Sequence, residues 1–208
     1  MDKESSTMYN KIAKRETLEK TKLSLEQNGF SVFITENSEA AKAKALTLIP
    51  EGAEVMTMTS DTLDTTGIAQ HFNESGKYDS VKTKLIQMDR STQNREMQKI
   101  GAAPEYAIGS VHAITEDGKV FIASNTGSQI PSYVFGSSKV VWIVGAQKIT
   151  KNEEEARQRI FEYVLPLESE RAHKAYGVPG SEVKKLLSFY KEFPGRVNII
   201  LVNEALGF

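Results

Sequence analysis

The chain has 208 residues, with 26 basic against 27 acidic side chains, 39% hydrophobic residues and no cysteine. This fits one ordinary globular domain, able to bury roughly 70% of its unfolded surface without covalent staples. The missing thiols exclude disulfides, iron–sulfur ligation, thiolate zinc sites and cysteine nucleophiles within these residues, and the balanced charge argues against specific nucleic-acid binding.

The first residues, MDKESSTMYNKIAKRE, are charged from the start and lack the apolar stretch of a secretory signal. The longest purely apolar run is Val140 to Val144, far short of the roughly 20 residues of a membrane-spanning helix. A soluble, cytoplasmic protein with no membrane partner is therefore expected. Residues 1–8 are polar and read as a disordered tail; residues 9–208 read as a single α/β domain.

Residues 9–27, rich in Lys, Glu and Leu, predict a helix that Asn28-Gly29 stops, because these residues tolerate the left-handed backbone of a helix end. Ser31–Thr35 is a short strand. Asn37 caps an Ala-rich helix running to Leu48, and Ala53–Thr59 is the next strand. Ser60-Asp61-Thr62 offers caps for a helix running to about Phe72. Residues 75–89 give no clear pattern, and Arg90 to Ile100 looks helical. Tyr106–Thr115 and Lys119–Ala123 are strand-like runs around Glu116-Asp117-Gly118, a hairpin signal because the turn needs a positive φ that Gly adopts at little cost.

Lys139–Gly145 (KVVWIVG) has the unbroken apolar character of a central strand buried on both faces. Asn152 opens the following helix, where Glu153–Arg157 and Glu155–Arg159 stand at i,i+4 spacing on what reads as a solvated face. Pro179-Gly180-Ser181 starts a last predicted helix, with Val183, Leu186, Leu187 and Tyr190 as its apolar stripe. Val197–Val202 closes the chain as a strand. Strands alternating with helices predict a mostly parallel sheet flanked by helices, with one antiparallel hairpin.

Ligands collect at the carboxyl ends of strands in such sheets. Three small, polar strand exits stand there: Ser60-Asp61-Thr62, then Ser124-Asn125-Thr126-Gly127-Ser128-Gln129, then Gly145-Ala146-Gln147-Lys148. Their hydroxyls and backbone N–H groups suit a small anion, to which Lys148 would add charge. Each exit alone is also what any cap or turn uses. None matches a dinucleotide or P-loop pattern, so no cofactor is expected. His71, His112 and His173 lack metal-ligand spacing, so no metal is expected either; His112, inside a strand, reads as structural. Glu116 suffices as a turn residue, yet turned into a pocket it could serve as base or nucleophile.

The run SVHAITEDGKVFIASNTGSQIPSYVFGSSKVVWIVGAQKIT resembles the LUD domain, the lactate-utilisation family of LutC/YkgG-type proteins. The resembling features are Ala113–Gly118, the apolar Val120–Ala123, the small-polar Asn125–Gln129, Pro131, and the buried Val140–Val144. Asp117 stands where that family often has Thr. The resemblance implies the fold of CoA transferases, sugar-phosphate isomerases and 5-formyltetrahydrofolate cyclo-ligases, whose members bind anionic small molecules at strand ends. It also implies a non-redox role in lactate or 2-hydroxy-acid utilisation, with iron–sulfur subunits as separate partners. On this reading the ligand-binding residues are Ser60, Asp61, Asn125, Thr126, Gly127, Ser128 and Gln129, and the reactive ones Glu116 and Lys148. A CoA-transferase- or isomerase-type enzyme and a non-catalytic ligand-binding scaffold are the alternatives. The sequence leaves the oligomeric state open.

Overall fold

The computed structural model describes residues 9–208; the expected tail over residues 1–8 lies outside the described residues. Six strands form a wholly parallel sheet in the order β1-β10-β7-β4-β2-β3, with β1 at Ser31–Thr35, β2 at Glu54–Thr57, β3 at Asp79–Ser80, β4 at Tyr106–Gly109, β7 at Lys139–Gly145 and β10 at Val197–Val202. The alternation along β7 explains why it reads as apolar throughout. Val140, Trp142 and Val144 point to one face, Val141 and Ile143 to the other, and both faces are buried.

One face is covered by α2 (Ser38–Leu48), α3 (Asp61–Thr65) and α4 (Ile68–Glu74), which bring Ala41, Ala45, Leu63, Ile68 and Phe72 against it. The helix expected from Ser60 to Phe72 is broken at Gly67, whose φ of 63° is left-handed. The opposite face meets α1 (Arg15–Gln27), through Leu25, and a second sheet. That sheet runs β8-β5-β6-β9, with β5 at Ala113–Thr115, β6 at Val120–Ser124, β8 at Ile149–Thr150 and β9 at Lys185–Phe189. Residues 75–89, unclear in the sequence, hold β3 and α5 (Val81–Gln87), and α6 spans Arg90–Ala102.

Three expectations need correction. The run Tyr106–Thr115 is not one strand: it crosses from the first sheet to the second at Ser110-Val111-His112, because both halves are buried but in different layers. The hairpin lies in that second sheet. Its turn is a three-residue loop with Gly118 at φ 82°, closed by a 2.8 Å bond from Gly118 N–H to Thr115 O. The last predicted helix is instead strand β9, antiparallel to β6 with Leu187 opposite Ile122. Leu186 and Leu187 pack on opposite faces of the second sheet, a strand's alternation hidden inside an apparent helical stripe.

The outer face of the second sheet is covered by α7 (Glu153–Gln158), which continues through a π-helical segment, Arg159–Val164, into α8 (Leu165–Tyr176). Neither expected i,i+4 pair forms. Glu153 instead bonds Lys119 and Tyr190, and Arg159 turns inward. Among the described residues, no helix is long and apolar enough to cross a membrane.

Candidate functional site

All strands of the first sheet end at the same edge, and the chain leaves β2, β4 and β7 there through neighbouring loops. Lys148 closes the 3₁₀ turn Ala146–Lys148 that follows β7. Its Nζ donates to Thr62 Oγ1 at 3.0 Å, after β2, and to Ser110 Oγ at 3.1 Å, after β4. One side chain thus spans three adjacent strand exits. The Thr62 hydroxyl donates onward to Leu206 O, so it can only accept from Lys148.

The turn is held from behind. Gln147 Nε2 donates to the carbonyls of Leu206 and Gly207 at 2.9 and 3.0 Å, and Gln147 Oε1 accepts from Leu206 N–H. A Cβ on Gly145 would lie 2.2 Å from Gln147 Oε1 and 2.6 Å from Leu206 N, so this clasp forms only around glycine.

Lys148 is 2% exposed and contacts hydroxyls rather than a carboxylate. Burial, reinforced by the positive charge of Arg159, holds its amine well below the ordinary lysine value; Asp61 pulls weakly the other way. Arg159 is fully buried in the π-helical segment, a kind of distortion common at functional sites. One guanidinium nitrogen donates to the carbonyl of His112, while Nε and Nη2 have no hydrogen-bond partner among the described residues. Burial lowers even this guanidinium to about 10.

His112 completes the cluster. Its Nδ1 accepts from the N–H of Ala123, 3.1 Å away, which leaves the ring proton on Nε2. His112 as a whole residue is half-buried, with its imidazole packed round by protein. Burial, then the nearby Lys148 and Arg159, push it down to about 3, so it is neutral at physiological pH. Ser110 and His112 are two residues apart, at most about 7 Å along the chain. The segment that accepts from Lys148 at one end therefore accepts from Arg159 at the other. The result is a buried basic cluster in which the half-buried Asp61 is the acid that acts on Lys148 among the described residues.

The other expected site residues are placed as follows. Ser60 and Asp61 precede and begin α3, beside Thr62 and Lys148. That helix has five residues, too short for an appreciable dipole, so side-chain charge rather than a helix start makes the edge anion-seeking. The turn after β6 begins next to Ala123, which holds His112, but its own groups are largely self-paired. Gly127 N–H donates to Ser124 Oγ, Ser128 N–H to Thr126 Oγ1, Ser124 Oγ to Gln129 Oε1, and Asn125 O accepts from Lys185. The turn thus joins the cluster through Ala123 and His112, whereas the hydrogen bonds of Lys148 go to Thr62 and Ser110. Glu116 sits at the hairpin and bonds Lys20 of α1 at 2.9 Å.

Sequence reasoning passed over Arg159 and treated His112 as structural. A signal for Arg159 existed: it lies three residues after Ala156 and four before Tyr163, on the helix's buried stripe rather than its solvated face. Among the described residues, no group of three or more His, Asp or Glu is placed to hold a metal ion.

The fold is that of an α/β protein, with Lys148, Thr62 and Ser110 gathered at the strand ends. The LUD domain family model matches residues 18–202, and the chain belongs to that family. Among solved structures it is similar to a DUF162 family protein from Deinococcus radiodurans, with a TM-score of 0.56 at 12% identity, covering 92% of this chain and 99% of that one. At that identity the likeness concerns the fold alone. No curated protein matches the chain.

Proposed function

We propose that this LUD domain binds a small anion at the edge formed by Lys148, Arg159 and His112, and serves as a non-redox component of lactate or 2-hydroxy-acid utilisation alongside iron–sulfur partner proteins in the cytoplasm. The observation that carries the binding half is Arg159, fully buried with two guanidinium nitrogens lacking hydrogen-bond partners among the described residues. Such a group is costly to bury, and an anion offsets that cost with charge-assisted bonds worth roughly 1.5–3 kcal/mol each. The lactate half rests on family membership and on the absence of cysteine, which leaves thiolate-held clusters to other subunits.

A second reading, a small-molecule enzyme of the CoA-transferase or isomerase type, is favoured by the lowered amine of Lys148, since a neutral amine is a nucleophile. A thermal-shift series with lactate, CoA esters, sugar phosphates and folates separates the possibilities. The proposed function expects lactate or a similar short carboxylate to stabilise the chain, by about 2.7 kcal/mol at a hundredfold excess over Kd. Stabilisation by CoA esters or sugar phosphates alone would favour the second reading. No response to any anion would refute both and leave a scaffold.

A further inference from the structure

Lys148 and Arg159 offer different chemistry, and together they specify more than charge. A guanidinium with two nitrogens unpartnered among the described residues is a planar fork that matches a carboxylate bidentately. Lys148 has no carboxylate partner among its hydrogen bonds, only the hydroxyls of Thr62 and Ser110. The proton of Thr62 is committed to Leu206 O, whereas Ser110 donates only a long 3.4 Å bond to Val111 O. Ser110 is half-buried, and two residues further on the His112 carbonyl accepts from Arg159, so the amine and the guanidinium flank the same short segment.

We propose that the ligand is a short oxo-carboxylate and that Lys148 bonds to it covalently as an imine, with Arg159 holding the carboxylate. This deepens the anion-binding reading above and rests on it. The Lys148 nitrogen adds to the carbonyl carbon and forms a carbinolamine. The carbon–oxygen bond then breaks, and both amine hydrogens leave with that oxygen as water, so no oxidant or reductant is needed. The Ser110 hydroxyl, in contact with the amine and weakly held elsewhere, is placed to relay the proton. Burial lowers this amine from the ordinary lysine value, which favours the addition, and its contacts are hydroxyls rather than a carboxylate that would hold it as an ammonium.

The test is reductive trapping on the full chain. Pyruvate and cyanoborohydride should add the mass of pyruvate plus two hydrogens less one water, and peptide mapping should place the adduct on Lys148. Acetone, which lacks the carboxylate, should be trapped about tenfold less or weaker, the loss expected for a missing charged hydrogen bond. Arg159→Met should lower pyruvate trapping by a similar factor, and Lys148→Met should abolish it. Mapping on the unsubstituted chain keeps the test valid if either variant folds poorly. Adducts scattered over surface lysines, or none, would overturn the imine. Lactate, which has no carbonyl, is titrated in parallel by thermal shift: stabilisation by lactate without pyruvate trapping refutes the covalent step alone, and no response to either refutes the anion site as well.

Discussion

Two clusters of charge in this molecule are built on opposite terms. At the hairpin, each charge has a partner near solvent: Lys20 meets Glu116 at 2.9 Å, and Lys119 meets Asp117 at 2.9 Å and Glu153 at 2.8 Å. At the strand ends, Lys148 and Arg159 are buried with no carboxylate in contact among the described residues. Exposed pairs of the first kind contribute about 0–1 kcal/mol each. Uncompensated buried cations cost far more than that. The proposed anion would supply the negative charge that this second arrangement lacks among the described residues.

The largest expected effect that tests this contrast is pH dependence. His112 is neutral in the fold with its pKa pushed down to about 3, against an ordinary value near 6.5. In that window the unfolded chain binds a proton that the folded chain does not. Stability contributed by the neutral ring is therefore present above about pH 6.5 and lost as pH falls towards 3, by about 1.4 kcal/mol per unit. Denaturant titrations between pH 7 and 4 should show this slope. His112→Asn, which keeps an acceptor for the Ala123 N–H, should flatten it. Lys148 acts in the same direction at higher pH: because its amine is lowered in the fold, stability rises with pH up to the ordinary lysine value.

Next in size is Lys148→Met. Replacing a buried amine that has no carboxylate partner by an apolar side chain of similar length should raise stability by about 1–4 kcal/mol, read as a shifted urea midpoint with unchanged slope. A loss of 3–5 kcal/mol would show instead that the charge is structurally paired. Gly145→Ala should cost about 1–3 kcal/mol, because the added methyl drives into Gln147 and Leu206 and loosens the turn that carries Lys148. The smallest effect belongs to the hairpin. Glu116→Gln should change stability by less than about 1 kcal/mol and leave anion binding unaltered. A binding loss there would bring Glu116 into the site and blur the contrast.

The parallel sheet was legible because its strands are locally decisive. Ser31–Thr35, Lys139–Gly145 and Val197–Val202 have the bounds the sequence suggests: the last two are rich in β-branched residues buried on both faces, and the first is a half-buried edge strand of the same character. Strand β9 was not legible. Its half-buried Leu186 and Leu187, with Val183 before and Tyr190 after the strand, match a helical stripe as well as a strand, and pairing with distant β6 decides the matter. The two-sheet arrangement was hidden for a related reason: nothing local in Ser110-Val111-His112 announces that the chain changes layers. Of the candidate site, the placement of Lys148, Ser60 and Asp61 at neighbouring strand ends was legible, because loops that follow parallel strands leave at one edge. Arg159 did not, because its i,i+4 spacing from Glu155 suggested a surface pair, while the helix turns that position inward.

The central claim is that the buried cations persist for an anion, and calorimetric titration of lactate into the wild-type chain and Arg159→Met tests it most directly. The account predicts saturable binding by the wild type and about tenfold or greater loss in a variant that is folded and no less stable. Equal affinity in both chains, or loss of the fold without any binding by the wild type, would contradict it and leave Arg159 a structural residue.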